Sequence, residues 1–143
     1  MSDSTRPTIL FLCTGNAARS VMGAAVLRGL GDDVVVTSAG THSLPGLPMS
    51  TRTRTALEGV NAADPDHRSA QVDGPMVDEA ALIVIFEPMH LRYMRKEHPS
   101  AAARTASLSR LARDLAPGDL TTLDDRVQAL GLADHEFLSL IHI

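Results

Sequence analysis

Residues 8–20 read TILFLCTGNAARS. Thr8 to Cys13 is a continuous apolar run, the pattern of a strand covered on both faces. Gly15 and Asn16 interrupt it, and both residue types tolerate left-handed backbone conformations. From Ser20 to Leu30 the apolar residues Val21, Met22, Ala25, Val26 and Leu30 recur at helical spacing, and Gly29 and Gly31 supply a stop. Asp33 to Ser38 (DVVVTS) reads as a second, β-branched strand. Strand, tight turn, helix, strand is the opening of a parallel α/β sheet.

Further along, the pattern predicts a surface loop over 39–49, rich in Gly and Pro. A helix is expected over 50–59, with Arg52 and Arg54 outside and Ala56, Leu57 and Val60 inside. A short extended piece follows at 67–72, an acidic helix at 73–81 and a buried strand at 82–86. Residues 89–98 are amphipathic and end at Pro99; helical segments are expected at 108–115 and 124–131. Residues 1–143 thus read as one domain: an α/β three-layer sandwich with a central four-stranded parallel sheet. In such sheets function sits beyond the carboxyl ends of the strands, where Cys13 stands.

Composition narrows the chemistry. The chain is 44% hydrophobic and 21% charged, with three Phe, one Tyr and no Trp, so the core must be aliphatic. A net charge of -4 argues against wholesale binding of nucleic acid or anionic membrane, and directs attention to particular arginines. One cysteine excludes an internal disulfide framework and a cysteine zinc cluster. The polar N-terminus lacks a signal-peptide design and the apolar runs are too short to span a bilayer, so a cytoplasmic, reducing location is expected. No cofactor and no metal is implied; Arg52, Arg54, Arg92 and Arg95 read as solvated helix faces. His42, His90, His98, His135 and His142 lack metal-ligand spacing, and surface roles suffice for them.

The chemistry concentrates in residues 13–20, the segment Cys13-Thr14-Gly15-Asn16-Ala17-Ala18-Arg19-Ser20. A cysteine six positions before an arginine is a weak signal by itself. Here a buried strand precedes the segment, Gly-Asn lies inside it and a helix opens directly after it. Such a loop can turn the N–H groups of Thr14 to Arg19 inward and, with the positive end of the helix dipole, cradle an anion. Gly15, Ala17 and Ala18 are small enough to leave the concavity open. Thiols at helix N-termini and beside cations are the reactive ones, so Cys13 is expected to be a nucleophile for attack on phosphorus. Arg19 offers a planar fork for two equatorial oxygens, and Ser20 can donate to the sulfur.

The loop, a Cys, five residues and then Arg-Ser after the first strand, resembles that of the low-molecular-weight protein tyrosine phosphatases. The resemblance covers residues 8–115. Thr37-Ser38-Ala39-Gly40-Thr41 resembles that family's second-strand exit, Gly46-Leu47-Pro48-Met49 its Gly-x-Pro turn, and His67-Arg68-Ser69-Ala70-Gln71 its His-x-x-x-Gln segment. Residues 82–87 with His90-Leu91-Arg92 resemble its fourth strand and following helix. The resemblance implies hydrolysis of phosphotyrosine-type or aryl phosphate monoesters through a phospho-cysteine, with Cys13 and Arg19 catalytic. It also implies that Ser38 and His67 hold Asn16 in a strained conformation. A phosphorylated protein or small phosphate ester is then the expected partner of a monomeric enzyme.

The likeness stops before the end. The family carries an Asp-Pro pair near its C-terminus as proton donor; here the one Asp-Pro, Asp64-Pro65, lies in a different loop. Asp124, Asp125 and Asp134 are the nearest carboxylates in the right region, and the first two read as helix caps. The family's closing helix is also missing, which would bare apolar surface on one side of the sheet. Residues 137–143 (FLSLIHI) read as a non-native tail on a truncated frame. Two other readings stand beside the phosphatase: a single-cysteine arsenate reductase dependent on a small thiol, and a catalytically impaired anion-binding module.

Overall fold

The computed structural model describes residues 6–134. The first strand, β1 (Thr8–Cys13), enters the long helix α1 (Arg19–Gly29) through a short loop, and β2 (Val35–Gly40) follows. Next come α2 (Thr51–Gly59), α3 (Gly74–Glu79), β3 (Ala80–Ile85) and α4 (Pro88–Glu97). A 3₁₀ turn over Pro99–Arg104 leads into β4 (Thr105–Ser107), then α5 (Leu108–Asp114) and α6 (Leu123–Gln128). The four strands form one parallel sheet in the order β2-β1-β3-β4. This is the expected doubly covered α/β sandwich.

Alternation along β1 sends its side chains to two aliphatic cores. Leu10 and Leu12 pack with Ile83, Ile85, Val77, Leu91 and Met94 on one face. Phe11 packs with Ala24, Val36, Leu82, Val84, Leu111 and Val127 on the other. Because β2 lies to one side of β1 and β3 to the other, the chain reverses direction across the sheet between β1 and β3. The carboxyl ends of those two strands flank the crevice where such sheets bind ligands. Cys13 ends one strand, and Glu87 lies two residues beyond the other.

Several expectations need correction. The fourth strand is Thr105–Ser107, three residues too short to show a period, and the strand expected to be fourth is the third in sequence. Residues 67–72 contribute only an isolated bridge from Gln71 to Gly40, because their polar groups bond to neighbouring loops instead. In α2 the buried residues are Thr53 and Leu57, while Ala56 and Val60 are exposed. That helix meets Val21 and Ala25 of α1 through Leu57, joined by Met49 from the loop before it. Arg95 is not a solvated residue: one guanidinium nitrogen donates to the Leu132 carbonyl at 3.0 Å. Residues 137–143 lie outside the described residues.

On the Phe11 face a groove of about 450 Å³ stays open between α1 and α5, lined by Met22, Val26, Leu27, Leu30, Phe86 and Leu108. Among the described residues Leu30 is 78% exposed at this groove. No helix among the described residues is long and apolar enough to cross a membrane.

Candidate active site

The loop between β1 and α1 is shaped by where its carbonyls go. The Cys13 and Thr14 carbonyls accept from the N–H groups of Thr41 and His42 at 2.9 and 3.0 Å. The Gly15 carbonyl accepts from the Ser43 hydroxyl at 3.0 Å, and the Asn16 carbonyl from His67 Nε2 at 3.0 Å. The Ala17 carbonyl accepts from Ser50 N, and that of Ala18 from Met22 N. In a trans peptide the N–H of the next residue points opposite to the carbonyl. With every carbonyl from 13 to 18 turned to these flanking partners, the N–H groups of residues 14–19 are directed away from them. Helix α1 adds its own N-terminal N–H groups, since no side chain caps it and its first turn holds no acid.

Asn16 is the residue that fixes the curl. It is fully buried and has φ 55°, in the left-handed region that Asn enters more readily than most residues. Its carboxamide oxygen accepts from Ala70 N at 2.9 Å, which settles its orientation, because a backbone N–H can only donate. Its Nδ2 then donates to Ser20 Oγ at 2.8 Å and to Ser38 Oγ at 3.0 Å. Gly15, by contrast, needs no left-handed backbone: its φ is not positive.

Ser20 is fully buried and its oxygen lies 2.9 Å from Cys13 Sγ. Since that oxygen already accepts from Asn16, its own proton is free to point at the sulfur. Arg19 opens α1, and its Nη1 lies 2.5 Å from Glu87 Oε1. Both partners are partly exposed at the β1/β3 crevice, so Glu87 holds the guanidinium at the mouth of the loop. Four of the guanidinium's five N–H groups lie outside that one bond.

Two residues of this site carry little signal in the sequence. Gly40 ends β2 directly opposite Cys13, and a Cβ there would stand 2.3 Å from the Thr14 carbonyl oxygen. His90, expected at the surface, is fully buried at the third position of α4. Its Nε2 lies 3.0 Å from Thr14 Oγ1 and its Nδ1 faces the N–H groups of Phe86 and Glu87. The His90 N–H donates in return to the Glu87 backbone carbonyl at 3.0 Å. Burial lowers the His90 pKa from its ordinary value near 6.5; Arg19 pushes the same way and Glu87 opposes. The pattern Glu87-Pro88-x-His90, with Pro at the first helical position, is a capping signal legible in the sequence.

Gln71 serves the loop at one remove. It donates to the Thr41 carbonyl and accepts from Ser43 N, both at 2.8 Å, holding the turn that binds Thr14 and Gly15. Of the carboxylates expected near the proton-donor position, Asp124 and Asp125 lie elsewhere, and the Asp134 side chain lies outside what the structure describes. Asp124 and Asp125 sit in the first turn of α6, where Thr122 is the cap residue. Asp124 lines a cavity with Arg6 and Thr8, at the other end of β1 from Cys13, roughly 16 Å away along the strand. Asp64, of the Asp-Pro pair, bonds to Arg28 at 3.2 Å.

A family model described as "Low molecular weight phosphotyrosine protein phosphatase" matches residues 8–124. The chain is 37% identical over 106 residues to the "Probable low molecular weight protein-tyrosine-phosphatase EpsP" of Ralstonia solanacearum, covering 73% of this chain and 70% of that protein. It is 34% identical over 103 residues to a "Protein-arginine-phosphatase" of Geobacillus stearothermophilus, covering 70% and 68%. Among solved structures, the YwlE arginine phosphatase from Geobacillus stearothermophilus superposes with a TM-score of 0.71 at 28% identity, covering 95% of this chain and 88% of that one.

Proposed function

This chain belongs to the low molecular weight phosphotyrosine protein phosphatase family, a family of phosphoric monoester hydrolases, and from that premise we propose that Cys13 is its nucleophile and Arg19 its oxyanion clamp. The observation that carries the assignment is the loop itself, whose carbonyls all bond outward around a cysteine backed by a buried serine. Amides directed into the concavity, with the α1 terminus and the Arg19 fork, would bind the three equatorial oxygens of a phosphoryl group.

The reaction follows in two displacements. The Cys13 sulfur, attacking as thiolate, forms the S–P bond while the ester P–O bond breaks and the leaving oxygen departs as an oxyanion that takes its proton from water. Water then attacks phosphorus, the S–P bond breaks, and the Ser20 hydroxyl steadies the returning sulfur. Arg19 and the loop amides meet charge that builds on the oxygens in both steps.

The substrate we favour is an aryl phosphate of the phosphotyrosine type on a protein. The carboxylate in contact with the clamp, Glu87, is engaged by Arg19, and Asp124 lies at the far end of the sheet. Neither of these described carboxylates is placed as a general acid at the loop, and a site without one loses about 10²–10⁴-fold, or about 3–5 kcal/mol of barrier. Leaving groups that depart without a proton should therefore turn over far better than phosphotyrosine itself. The likeness to an arginine phosphatase of Geobacillus stearothermophilus, in sequence and in structure, favours a second reading, in which a phosphorylated guanidinium is the substrate. Hydrolysis of an aryl phosphate, phosphotyrosine and phosphoarginine by the parent and by Cys13→Ser tests both. Turnover that survives in Cys13→Ser would overturn the nucleophile assignment, and preference for phosphoarginine would select the second substrate.

A further inference from the structure

We propose that His90 is a positioning residue for this reaction, its neutral imidazole tying Thr14 of the phosphate-binding loop to the Phe86–Glu87 turn that holds Arg19. The proposal rests on the reading of residues 13–20 as the catalytic loop.

The tautomer follows from the partners. Nδ1 faces two backbone N–H groups, of Glu87 at 3.2 Å and Phe86 at 3.4 Å, and neither can accept. Nδ1 therefore carries the lone pair and Nε2 the proton, which is donated to Thr14 Oγ1 at 3.0 Å. Capping α4 alone would not require a ring, since a short polar side chain at the third helical position can return a bond to the cap residue. Reaching Thr14 from the same position does require one, with acceptor and donor on opposite sides.

The consequence is a clamp on both halves of the site. Thr14 follows the nucleophile directly, and its carbonyl is already held by His42 N. The bond from His90 fixes its side chain as well, against the turn whose carboxylate grips Arg19. Sulfur and guanidinium sit on different elements, and one imidazole sets the distance between them. Burial and the nearby Arg19 charge keep that imidazole neutral, the form the two acceptor contacts require.

A double-mutant cycle on the full chain tests this, with p-nitrophenyl phosphate as probe. His90→Asn keeps an acceptor for the turn but is too short for Thr14; Thr14→Val removes the hydroxyl. Each is expected to lower kcat roughly ten- to a hundredfold, with KM moved less than about threefold. The double variant should be no slower than the slower single. Effects that multiply, or His90→Asn at the parental rate, would overturn the proposal. Should His90→Asn fail to fold by circular dichroism, the Thr14 variants carry the test: Thr14→Ser, which keeps a hydroxyl for His90, must lose less kcat than Thr14→Val, and equal losses refute the proposal. In the parent, the ¹⁵N spectrum of the imidazole must show Nε2–H; an Nδ1–H tautomer, or full activity in Thr14→Val, refutes it. Residual turnover in Cys13→Ser would instead refute the catalytic loop, a result distinct from Cys13-dependent turnover indifferent to His90.

Discussion

Gly40 and Thr14 approach so closely that a single methyl group between them would stand 2.3 Å from the Thr14 carbonyl oxygen. An ordinary carbon–oxygen contact is about 3.3 Å or more, so one of the two backbones must move by about 1 Å. Gly40 is fixed on both sides by bonds to Ala70 and Val72, and β1 is pinned between two strands. The loop is the part that gives. Gly40→Ala is expected to lower kcat on an aryl phosphate by roughly a hundredfold, with a much smaller loss of thermal stability. Steady-state kinetics beside a melting curve checks this, and parental kcat would show that the strand yields instead.

Asn16 joins conformation and bonding in one residue. Asn16→Ala places a Cβ-only side chain at φ 55° and strips partners from Ser20, Ser38 and Ala70 N. The combined cost is about 2–4 kcal/mol of stability. Asn16→Gly removes the backbone strain but not the lost bonds, so its denaturant midpoint should fall between parent and Asn16→Ala. If Gly and Ala were equally destabilising, the left-handed backbone would contribute nothing.

His90 makes stability depend on pH with a definite sign. Its folded-state pKa lies below the ordinary value near 6.5 because burial and Arg19 disfavour the cation, with Glu87 acting the other way. Below pH ~6.5 the unfolded chain takes up the proton more readily than the folded one, so folding loses stability as pH falls. Above that value the contribution is fully present. Melting temperatures of parent and His90→Asn should therefore differ most near pH ~7.5 and converge toward pH ~5.5. A gap that stays constant across this range would contradict the shift.

The Arg19–Glu87 pair separates stability from catalysis. Both side chains are partly exposed, 39% and 46%, so the pair is worth only about 0–1 kcal/mol to the fold. Arg19→Lys loses the planar fork and should cost roughly a hundredfold or more in kcat with a nearly unchanged melting temperature. Glu87→Gln retains size but releases the guanidinium, with a smaller loss of about tenfold. A Glu87→Gln enzyme faster than the parent would mean that the carboxylate competes with substrate for Arg19.

The element legible in full was the one whose contacts are local. An apolar strand, a loop of small residues and a helix rich in Ala and Val announce themselves by period, and β1 and α1 fall within a residue of their expected limits. The contact between Cys13 and Ser20 spans seven residues, short enough for the loop itself to enforce. Strand β4 was not legible, because three residues cannot display alternation. Nor was the burial of α2: with one narrow stripe against α1, its pattern could not say which apolar residues turn inward.

By itself, then, the order of residues determined where a nucleophile, an anion-binding loop and a helix terminus would coincide, since all three follow from neighbours in the chain. It could not determine what holds them. Asn16 and Ala70 are 54 positions apart, Arg19 and Glu87 68, and Thr14 and His90 76. Only sheet pairing brings such partners together, setting β1 between β2 and β3 so that Gly40 and Glu87 arrive beside Cys13. Tertiary packing thus decided which histidine is buried, which glycine has no room for a side chain, and which carboxylate meets the arginine.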